Sequence, residues 1–568
     1  MRPGPPAPGL MATLRDYRPS WLRADLVAGL TVWAVLVPES LAYATIAGVS
    51  PVVGLYAAVA SLLLYALIGS SRHLVVGPMS ATAALSAAIV AGLAGAGTAR
   101  YAAFTVTLAL VAGVVGVLAG LLRLGFIASL ISEPVLKGFI IGLALTIIAG
   151  QLPKLFGVEK ASGNFFEQVG GLVAHLGGAS LATLGVGLAA LAVLAMLRKV
   201  VPLVPGSLVV VVLGVLAVIL FGLDDRGVAI VGPIERGLPS FGLPAGIGLG
   251  DYLGLVGPAL GVLLVGFAEG LGAAKTYAAK AGYDIDANRE LLGLGAANVG
   301  AGLSSGMVVN GSLSKTAVNG GAGARSQVSG LTVAALTLLT LLFLTGLFER
   351  LPEAVLAAIV IVAVIELVDL AALRTLYGIW THRLGSIYGP AARADFAAAV
   401  AALLGVLVFD TLPGLFIGIT VSLLLLLYRV SRPYVAVLGR APATPGTWVD
   451  LARNPEGAGA PGVIVARVES GLFFANADHV RERLRALAGE GTVRAVVLDA
   501  RTVPFVDVTA AAMLQRLRTD LERDGIRLAI AGDVGQVRDV LALAGGPILA
   551  CSTLDEAVAT VLQRPAPD

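Results

Sequence analysis

Lys315 stands in the run N-G-S-L-S-K-T-A-V-N (residues 310–319), inside a chain made almost entirely of apolar segments. A charged side chain at bilayer depth costs about 3 kcal/mol or more, so it persists beside a partner or a water-filled path. The preceding Gly311, Ser312 and Ser314 are small and polar, which predicts a helix that begins within the membrane. Such a start, with free N–H groups beside an ammonium, favours binding of an anion. The alternative is a lysine that extends from a helix end to the lipid headgroups.

The composition indicates a membrane protein. Hydrophobic residues make up 57% of the chain and charged residues 13%, against about 25% charged in ordinary globular domains. The net charge of +3 over 568 residues does not favour a nucleic-acid partner. The single cysteine, Cys551, and the 4 histidines predict neither a disulfide framework nor a metal or other cofactor site. Without a nucleophile–base set, an enzyme is not expected.

Fourteen apolar segments are predicted to enter the membrane, seven on each side of a polar, Gly/Pro-rich connection at 224–250. The first seven lie at 26–47, 51–69, 76–94, 101–122, 126–151, 178–198 and 204–222. The second seven lie at 252–276, 288–303, 312–324, 326–347, 351–371, 394–410 and 412–429. Because each half has an odd number of spans, the second half is predicted to be inverted relative to the first.

The ends of this region set its orientation. Arginines 15, 18 and 23 precede the first span, and arginines 429, 432 and 440 follow the last. The positive-inside rule therefore predicts that both termini are cytoplasmic, in a multi-pass protein of the cell inner (plasma) membrane. We predict an N-terminal tail at 1–24 and a transmembrane region at 25–430, with repeats at 25–222 and 251–430.

The third segments of the two halves match. V-G-P-M-S-A-T (76–82) and V-N-G-S-L-S-K-T (309–316) each show an extended approach, a glycine, a hydroxyl residue and then a helix. Short, interrupted segments at corresponding places in two repeats indicate a binding site near the membrane midplane. With 72 glycines in the chain, such a match can also arise by chance.

From about Thr444 the chain changes character. Runs such as G-V-I-V-A-R-V and V-R-A-V-V-L-D-A alternate with amphipathic stretches such as D-H-V-R-E-R-L-R-A-L. Strands that alternate with helices predict a small, soluble α/β domain, here over 445–562. In its loop F-V-D-V-T (505–509), Asp507 is predicted to cap a helix that starts at Thr509.

Several motifs resemble those of the sulfate-permease (SulP) superfamily of anion transporters. V-P-E-S-L-A-Y-A (37–44) resembles a first-span motif in which Glu39 takes the usual glutamine position. P-V-V-G-L-Y-A-A-V-A-S-L-L-L-Y-A-L-I-G-S-S-R (51–72) resembles the family signature, with Val53 at a usual tyrosine. Further matches are G-F-A-E-G-L (266–271), G-S-L-S-K-T-A-V-N-G-G-A-G-A-R-S-Q-V-S-G (311–330) and the C-terminal V-V-L-D-A-R-T-V-P-F-V-D-V-T (496–509), which resembles a STAS domain.

The resemblance implies fourteen spans in a 7+7 inverted repeat, divided into core and gate domains, followed by a STAS domain. It also implies a homodimer and an anion held between the starts of the two third helices. The predicted donors are the backbone N–H groups of Met79, Ser80 and Ala81 and of Leu313, Ser314 and Lys315, with hydroxyls from Ser80, Thr82, Ser312 and Ser314.

Three further side chains are assigned to this site. Tyr43 is predicted to line its wall or to pack at a helix interface, and Glu39 to orient neighbouring backbone groups. Glu269, in L-L-V-G-F-A-E-G-L-G, takes the acidic position of the family's eighth helix. Apolar neighbours favour its neutral form, so Glu269 is predicted both to line the site and to couple transport to protons. The alternatives are a fixed Glu269–Lys315 ion pair and coupling to sodium, for which no further side-chain oxygen lies nearby in sequence.

The sequence therefore favours a secondary active transporter of an inorganic anion, sulfate first, coupled to protons and working by an elevator-type movement of core against gate. Lys315 takes a position where the family generally has arginine, and lysine lacks the forked geometry that fits oxyanions. Bicarbonate, chloride exchange and dicarboxylates consequently remain open as substrates. From other classes, an anion channel or a membrane-tethered sensor that signals through the C-terminal domain remains an alternative.

Overall fold

The computed structural model describes most of the chain between residues 17 and 563. Outside the described residues lie 1–16, 96, 127–131, 162, 202–204, 235–236, 366–367, 379–392, 410, 443, 445, 490–492, 534, 544–547 and 564–568, together with the side chains of 411 and 412. Most of the predicted N-terminal tail falls in this set.

The described membrane region contains seven helical spans in each half. In the first half these are α1 (Leu22–Ile46), α2 (Val52–Ile68), α3 (Ser80–Ala91), α4 (Ala99–Leu121), α5 (Glu133–Phe156), α7 (Leu181–Val200) and α8 (Gly206–Phe221), with a short amphipathic α6 (Phe165–His175) between α5 and α7. After a short α9 (Leu249–Gly254), the second half contains α10 (Val256–Ala281), α11 (Ala287–Leu303), α12 (Leu313–Gly321), α13 (Val328–Leu339), α14 (Glu353–Ile365), α16 (Ala394–Phe409) and α17 (Thr411–Ser431), with α15 (Leu370–Gly378) between α14 and α16.

These spans confirm the predicted fold class. Eight of the described helices are long and apolar enough to cross a bilayer by length and composition alone, and four others are shorter apolar helices. The third span of each half is short, as the glycine-rich sequence indicates: α3 has 12 residues and α12 has 9. Both halves also place their amphipathic helix between the fifth and sixth spans, which is the correspondence that an internal repeat requires.

The two halves meet at a two-stranded ladder. Strand β1 (Val75–Gly77) precedes α3, strand β2 (Asn310–Ser312) precedes α12, and the two pair antiparallel. Because antiparallel strands run in opposite directions, α3 and α12 leave the ladder at opposite ends, and both helices begin beside it. The first helix of each half, α1 and α10, contacts both α3 and α12.

We call the β1–β2 ladder and the starts of α3 and α12 the crossing. Glycines allow the backbones to approach closely there and where α4 meets α11. The Cα of Gly270 on α10 would lie 2.9 Å from a Cβ on Gly311 of β2, so only glycine fits at position 311. Where α4 crosses α11, side chains at Gly113 and Gly295 would collide with the backbone of the facing helix. Small residues permit such close packing in lipid, where helix association depends on van der Waals contact.

The membrane helices pack in two groups. The first four spans of each half contact one another, most extensively through the pairs α4–α11, α2–α11 and α1–α13. The later spans form a second group, in which α14 packs on α5 and α7 and Gly138 of α5 lies against the backbone of Ala399 on α16. This grouping corresponds to the predicted core and gate domains.

Two buried carboxylates tie the halves together. Glu290 on α11 accepts hydrogen bonds from the first half: Tyr65 Oη at 2.6 Å, Ser70 N and Oγ at 2.7 Å each, and Ser71 N at 2.9 Å. Asp25 on α1 accepts from the second half: Arg325 N at 2.6 Å, Ser326 N at 3.1 Å and Ser326 Oγ at 2.6 Å. Each carboxylate thereby satisfies turn N–H groups that have no helical partner.

The C-terminal unit contains a mixed six-stranded sheet. Its strands are β3 (Val435–Arg440), β4 (Trp448–Asp450), β5 (Val463–Val468), β6 (Ala495–Asp499), β7 (Arg527–Ala531) and β8 (Leu549–Cys551), in the order β4-β3-β5-β6-β7-β8. Strands β5 to β8 are parallel, and β3 pairs antiparallel with β4 and β5. Its helices are α18 (Ala477–Ala488), α19 (Val508–Arg523), α20 (Gly535–Leu543) and α21 (Leu554–Gln563).

The sheet begins earlier than the predicted domain boundary at 445. Strand β3 follows the last membrane helix after only three residues, so no polar linker marks the change in the sequence. The helix prediction near Asp507 differs by one residue, because α19 starts at Val508 and not at Thr509. The predicted cap is confirmed, since Asp507 Oδ1 accepts a hydrogen bond of 2.8 Å from Ala510 N.

A buried carboxylate also lies at the end of β6. Asp499 is fully buried and accepts hydrogen bonds of 2.8 Å from Arg467 Nε, Arg501 Nε and Arg501 Nη2. Burial alone raises the pKa of the Asp499 carboxyl, but the hydrogen bonds from Arg501 and Arg467 more than offset this, so its pKa lies below the usual value. The ionised form therefore stabilises the folded domain.

We predict that Glu290→Gln lowers the free energy of unfolding by on the order of 2 kcal/mol or more, because an amide nitrogen would face donors that now bind a carboxylate oxygen. Thermal unfolding of the purified protein in detergent measures the effect. Glu133→Gln is the matched control, since Glu133 is exposed and pairs with Lys137 on the same helix. Equal unfolding temperatures for the two variants would contradict the assigned role.

We predict that Asp499→Asn destabilises the sheet by on the order of 2 kcal/mol at neutral pH, less than a fully buried pair would lose, because Arg501 is half exposed and screened. Since the folded-state pKa lies below the unfolded one, the difference from wild type should shrink as pH falls below about 4. Hydrogen exchange of the amides in β5 to β7 at several pH values measures it. A difference that grows in acid would contradict the prediction.

Candidate anion-binding site

Lys315 lies at the centre of the crossing. Its side chain is 1% exposed, so the ammonium is buried in protein and does not extend to the headgroups. Its Nζ donates a hydrogen bond of 3.0 Å to the carbonyl oxygen of Pro78, two residues before α3. The same Nζ lies 4.9 Å from the ring centroid of Tyr43 on α1, a cation–π contact. One side chain from the second half therefore contacts two elements of the first.

The charge partner of Lys315 is Glu39. Nζ lies 2.9 Å from Glu39 Oε2, and both side chains are buried. Among the described residues Oε2 accepts no aligned hydrogen bond, while Lys315 Nζ donates one to the Pro78 carbonyl. The contact is thus an ion pair without a well-formed hydrogen bond. This corrects the alternative of a Glu269–Lys315 pair, and it gives Glu39 a direct role in place of the predicted backbone contacts.

The start of α3 offers unpartnered backbone donors. Met79 is the N-cap residue in extended conformation and makes no side-chain cap, so the first-turn N–H groups are those of Ser80, Ala81 and Thr82. Of the predicted donors, Ser80 and Ala81 lie in this first turn, and Met79 is its N-cap residue. The Thr82 hydroxyl donates to the Met79 carbonyl at 3.3 Å. Ser80 and Thr82 are both buried.

The start of α12 is partly closed. Ser312 is the N-cap residue, and its Oγ accepts a hydrogen bond of 3.2 Å from the backbone N–H of Lys315. That N–H was predicted to face the anion, and the cap occupies it. Leu313 and Ser314 begin the helix and are both exposed, and Ser314 Oγ lies 3.2 Å from Ser312 Oγ. The remaining first-turn donors of α12 are thus the N–H groups of Leu313 and Ser314.

Glu269 is the carboxyl on the first helix of the second half. It lies on α10 between Gly266 and Gly270, both of which pack against Asn310 of β2. Glu269 Oε2 is buried and has no hydrogen-bond partner among the described residues. A buried carboxyl oxygen without a donor is costly in the ionised state, and a proton removes that cost. Each half therefore contributes one carboxyl from its first helix, Glu39 from α1 and Glu269 from α10.

Several polar side chains that position the crossing were not predicted. The Asn298 side chain on α11 donates to Val309 O at 3.0 Å and accepts from Val309 N at 2.9 Å, which fixes the approach to β2. The Thr316 hydroxyl accepts from Val75 N at 3.1 Å and so joins α12 to β1. Both are fully or almost fully buried. An isolated amide or hydroxyl in an apolar helix was the available signal.

The arrangement is suited to binding an anion reversibly. Two helix starts provide partial positive charge and N–H donors, while Lys315 provides a full positive charge beside both of them. Of the described residues, no group of histidine, cysteine or acidic side chains is arranged to hold a metal ion.

Comparisons with known proteins agree with this geometry. The profile of the Sulfate permease family matches residues 22–384, and the STAS domain profile matches residues 454–557. The "Probable sulfate transporter" of Mycobacterium tuberculosis is 38% identical over 537 residues, which cover 94% of this chain and 93% of that protein. "High affinity sulfate transporter 2" of Stylosanthes hamata is 31% identical, with 91% and 80% covered.

Solved structures share the fold. A murine anion transporter of the solute carrier 26 family, in the inward-facing state, superposes with a TM-score of 0.87 at 23% identity, covering 97% of this chain and 93% of that one. The transmembrane domain of a cyanobacterial bicarbonate transporter gives a TM-score of 0.60 at 24% identity, covering 68% and 97%. The predicted resemblance is confirmed: the chain belongs to the sulfate permease family of membrane transporters, which are not enzymes, and carries a C-terminal STAS domain.

Proposed function

We propose that this protein is a secondary active transporter that takes up sulfate together with protons. The observation that carries the proposal is the buried ammonium of Lys315 at the point where two half-crossing helices begin. The two relatives described above are named as sulfate transporters. The same chemistry would accept bicarbonate or chloride less well, because each carries one charge, and a dicarboxylate less well because its two charges lie on separate groups and not on one compact centre.

The movement that fits this fold is an elevator-type displacement of one helix group against the other. The candidate site belongs to the first group, since β1, β2, α1, α3, α10 and α12 all pack within it. A site that travels within one rigid group needs no rearrangement of its own donors during transport. The second group, with α5, α7, α8 and α14, would then act as the gate.

Proton coupling is assigned to Glu269. Glu269 has a buried oxygen without a hydrogen-bond partner among the described residues, and we assign it to the wall of the candidate site, which then contains two carboxyls but one lysine. If both carboxyls were ionised beside Lys315, the local charge would be −1, which repels a dianion. Uptake of a proton by Glu269 together with sulfate removes that repulsion, so binding of each favours binding of the other.

The cellular setting follows from the flanking charges. We assign both termini, and with them the STAS domain, to the cytoplasm and the transporter to the plasma membrane, because basic residues flank the first and last spans. We assign a homodimer as the working assembly, on the same family resemblance.

We predict saturable, counterflow-capable sulfate uptake into proteoliposomes, with competition by bicarbonate, chloride and succinate weaker than by sulfate itself. Lys315→Met should lower this uptake at least about ten-fold, because the site loses its one cation. The double variant Lys315→Met with Glu39→Gln should be equally inactive, and it avoids leaving a buried carboxylate unpaired.

Lys137→Met is the control for these variants, since it removes a lysine from an exposed pair on α5. If the wild-type protein in liposomes exchanges other anions but not sulfate, the assignment of sulfate as the substrate is contradicted. Normal sulfate uptake by the double variant would remove Lys315 from the site. Conductance without saturation or counterflow would indicate a channel.

We predict that Glu269→Gln abolishes the acceleration of sulfate uptake by an inward proton gradient, because glutamine imitates the protonated carboxyl permanently. Sulfate–sulfate exchange should continue in this variant, since exchange requires no net proton movement. Uptake by wild type and variant is measured with and without an imposed pH gradient, and with a sodium gradient instead. A variant still driven by the pH gradient, or a wild type driven only by sodium, would contradict the assignment.

A further inference from the structure

Three buried carboxylates in the membrane region differ in how they are held. Asp25 accepts three hydrogen bonds and Glu290 accepts four, as described above. A carboxylate has about four acceptor sites, so Asp25 and Glu290 are close to saturated. Glu39 is different: its Oε2 is buried and accepts no aligned hydrogen bond. Among the described residues, the polar contact of the Glu39 side chain is the ion pair with Lys315.

No other cation is available to Glu39 from the helices that pack against α1. Those are α2, α3, α8, α12, α13 and α14, and their ionisable side chains are Tyr56, Tyr65, Lys315 and Glu353. Tyr65 donates to Glu290, and Glu353 pairs with Lys154 at 3.2 Å. Among the described side chains of these helices, Lys315 is therefore the cation that faces Glu39.

The pair lies where the anion is expected. Lys315 Nζ is hydrogen-bonded to Pro78, directly before α3, so the Glu39 carboxylate beside it is close to the same helix start. Glu39 keeps 8% exposure against 1% for Lys315. Glu39 is thus the less enclosed member of the pair.

We propose that the Glu39 carboxylate is a tethered competitor: it neutralises Lys315 when no substrate is bound, and the transported anion must displace it. This inference rests on the proposed function, because it takes Lys315 to be the anion's charge partner. A carboxylate fixed on α1 acts at a high effective concentration. An anion that offers one charge and few acceptors displaces it poorly, whereas a dianion that also engages the N–H groups of α3 and α12 does so readily. Glu39 is therefore a specificity-determining residue that favours sulfate over chloride.

The test is binding of sulfate and of chloride to the purified full-length protein by isothermal titration calorimetry. Removing a tethered competitor should tighten sulfate binding by Glu39→Gln about ten-fold and chloride binding more than that, so the preference for sulfate falls. When Lys315→Met is already present, Glu39→Gln should not tighten binding of sulfate or chloride, because the two residues act through one contact. Glu133→Gln, which neutralises an exposed carboxylate, should leave both affinities as in wild type.

Stability gives a second readout. Without anion, Glu39→Gln leaves the Lys315 ammonium unpaired and should lower the unfolding temperature, and sulfate should raise that temperature more in the variant than in wild type. If Glu39→Gln does not fold, Glu39→Asp serves instead, because a shorter side chain weakens the pair and should also tighten sulfate binding.

The outcomes separate the two proposals. If wild type binds sulfate but Glu39→Gln or Glu39→Asp binds it equally or more weakly, Glu39 only positions Lys315, and the competitor proposal is overturned while the transport function stands. If Glu39→Gln tightens sulfate binding equally with and without Lys315, the competitor proposal is overturned as well. Failure of the wild type to bind or transport sulfate overturns the proposed function first.

Discussion

A buried ammonium must be compensated, and in this protein the compensation for Lys315 joins the two repeats. Its partners are the Glu39 carboxylate, the Pro78 carbonyl and the face of the Tyr43 ring, all of which belong to the first half. An isolated charge inside a membrane protein costs several kcal/mol. The β1–β2 ladder therefore does more than pair two short strands: it holds a charge from the second half beside first-half partners that compensate its burial.

The crossing combines polar side chains whose hydrogen-bonding groups are nearly all used with carboxyls whose oxygens are partly unused. Glu290, Asp25 and Asn298 use nearly all of their hydrogen-bonding capacity on the backbone of turns and strands, which makes them structural. Glu39 and Glu269 each have a buried oxygen without a hydrogen-bond partner among the described residues. Polar groups left unsatisfied in a low-dielectric site are easily changed by a proton or a ligand. The side chains that fix the backbone and the carboxyls whose contacts can change thus lie within one small region.

The sequence predicted the membrane spans and the two interrupted helices well, because apolar runs and glycine–hydroxyl segments are local signals. Lys315 stood out for the same reason, as a lone charge in an apolar stretch. The partner of Lys315 could not be identified from the sequence, because Glu39 and Glu269 are equally isolated carboxyls there. Only the packing of α1 against α12 selects Glu39. The exact start of α3 at Ser80, the cap by Ser312 and the strand Val435–Arg440 also depend on backbone geometry that composition does not specify.

We propose that an anion binds to Lys315 between the starts of α3 and α12 and displaces the Glu39 carboxylate. A structure of the wild-type protein determined in the presence of sulfate tests it most directly. The account predicts an anion within hydrogen-bond distance of Lys315 Nζ and of first-turn N–H groups, with the Glu39 carboxylate moved out of ion-pair distance. Sulfate bound at another place, or bound here with the Glu39–Lys315 pair intact, would contradict it.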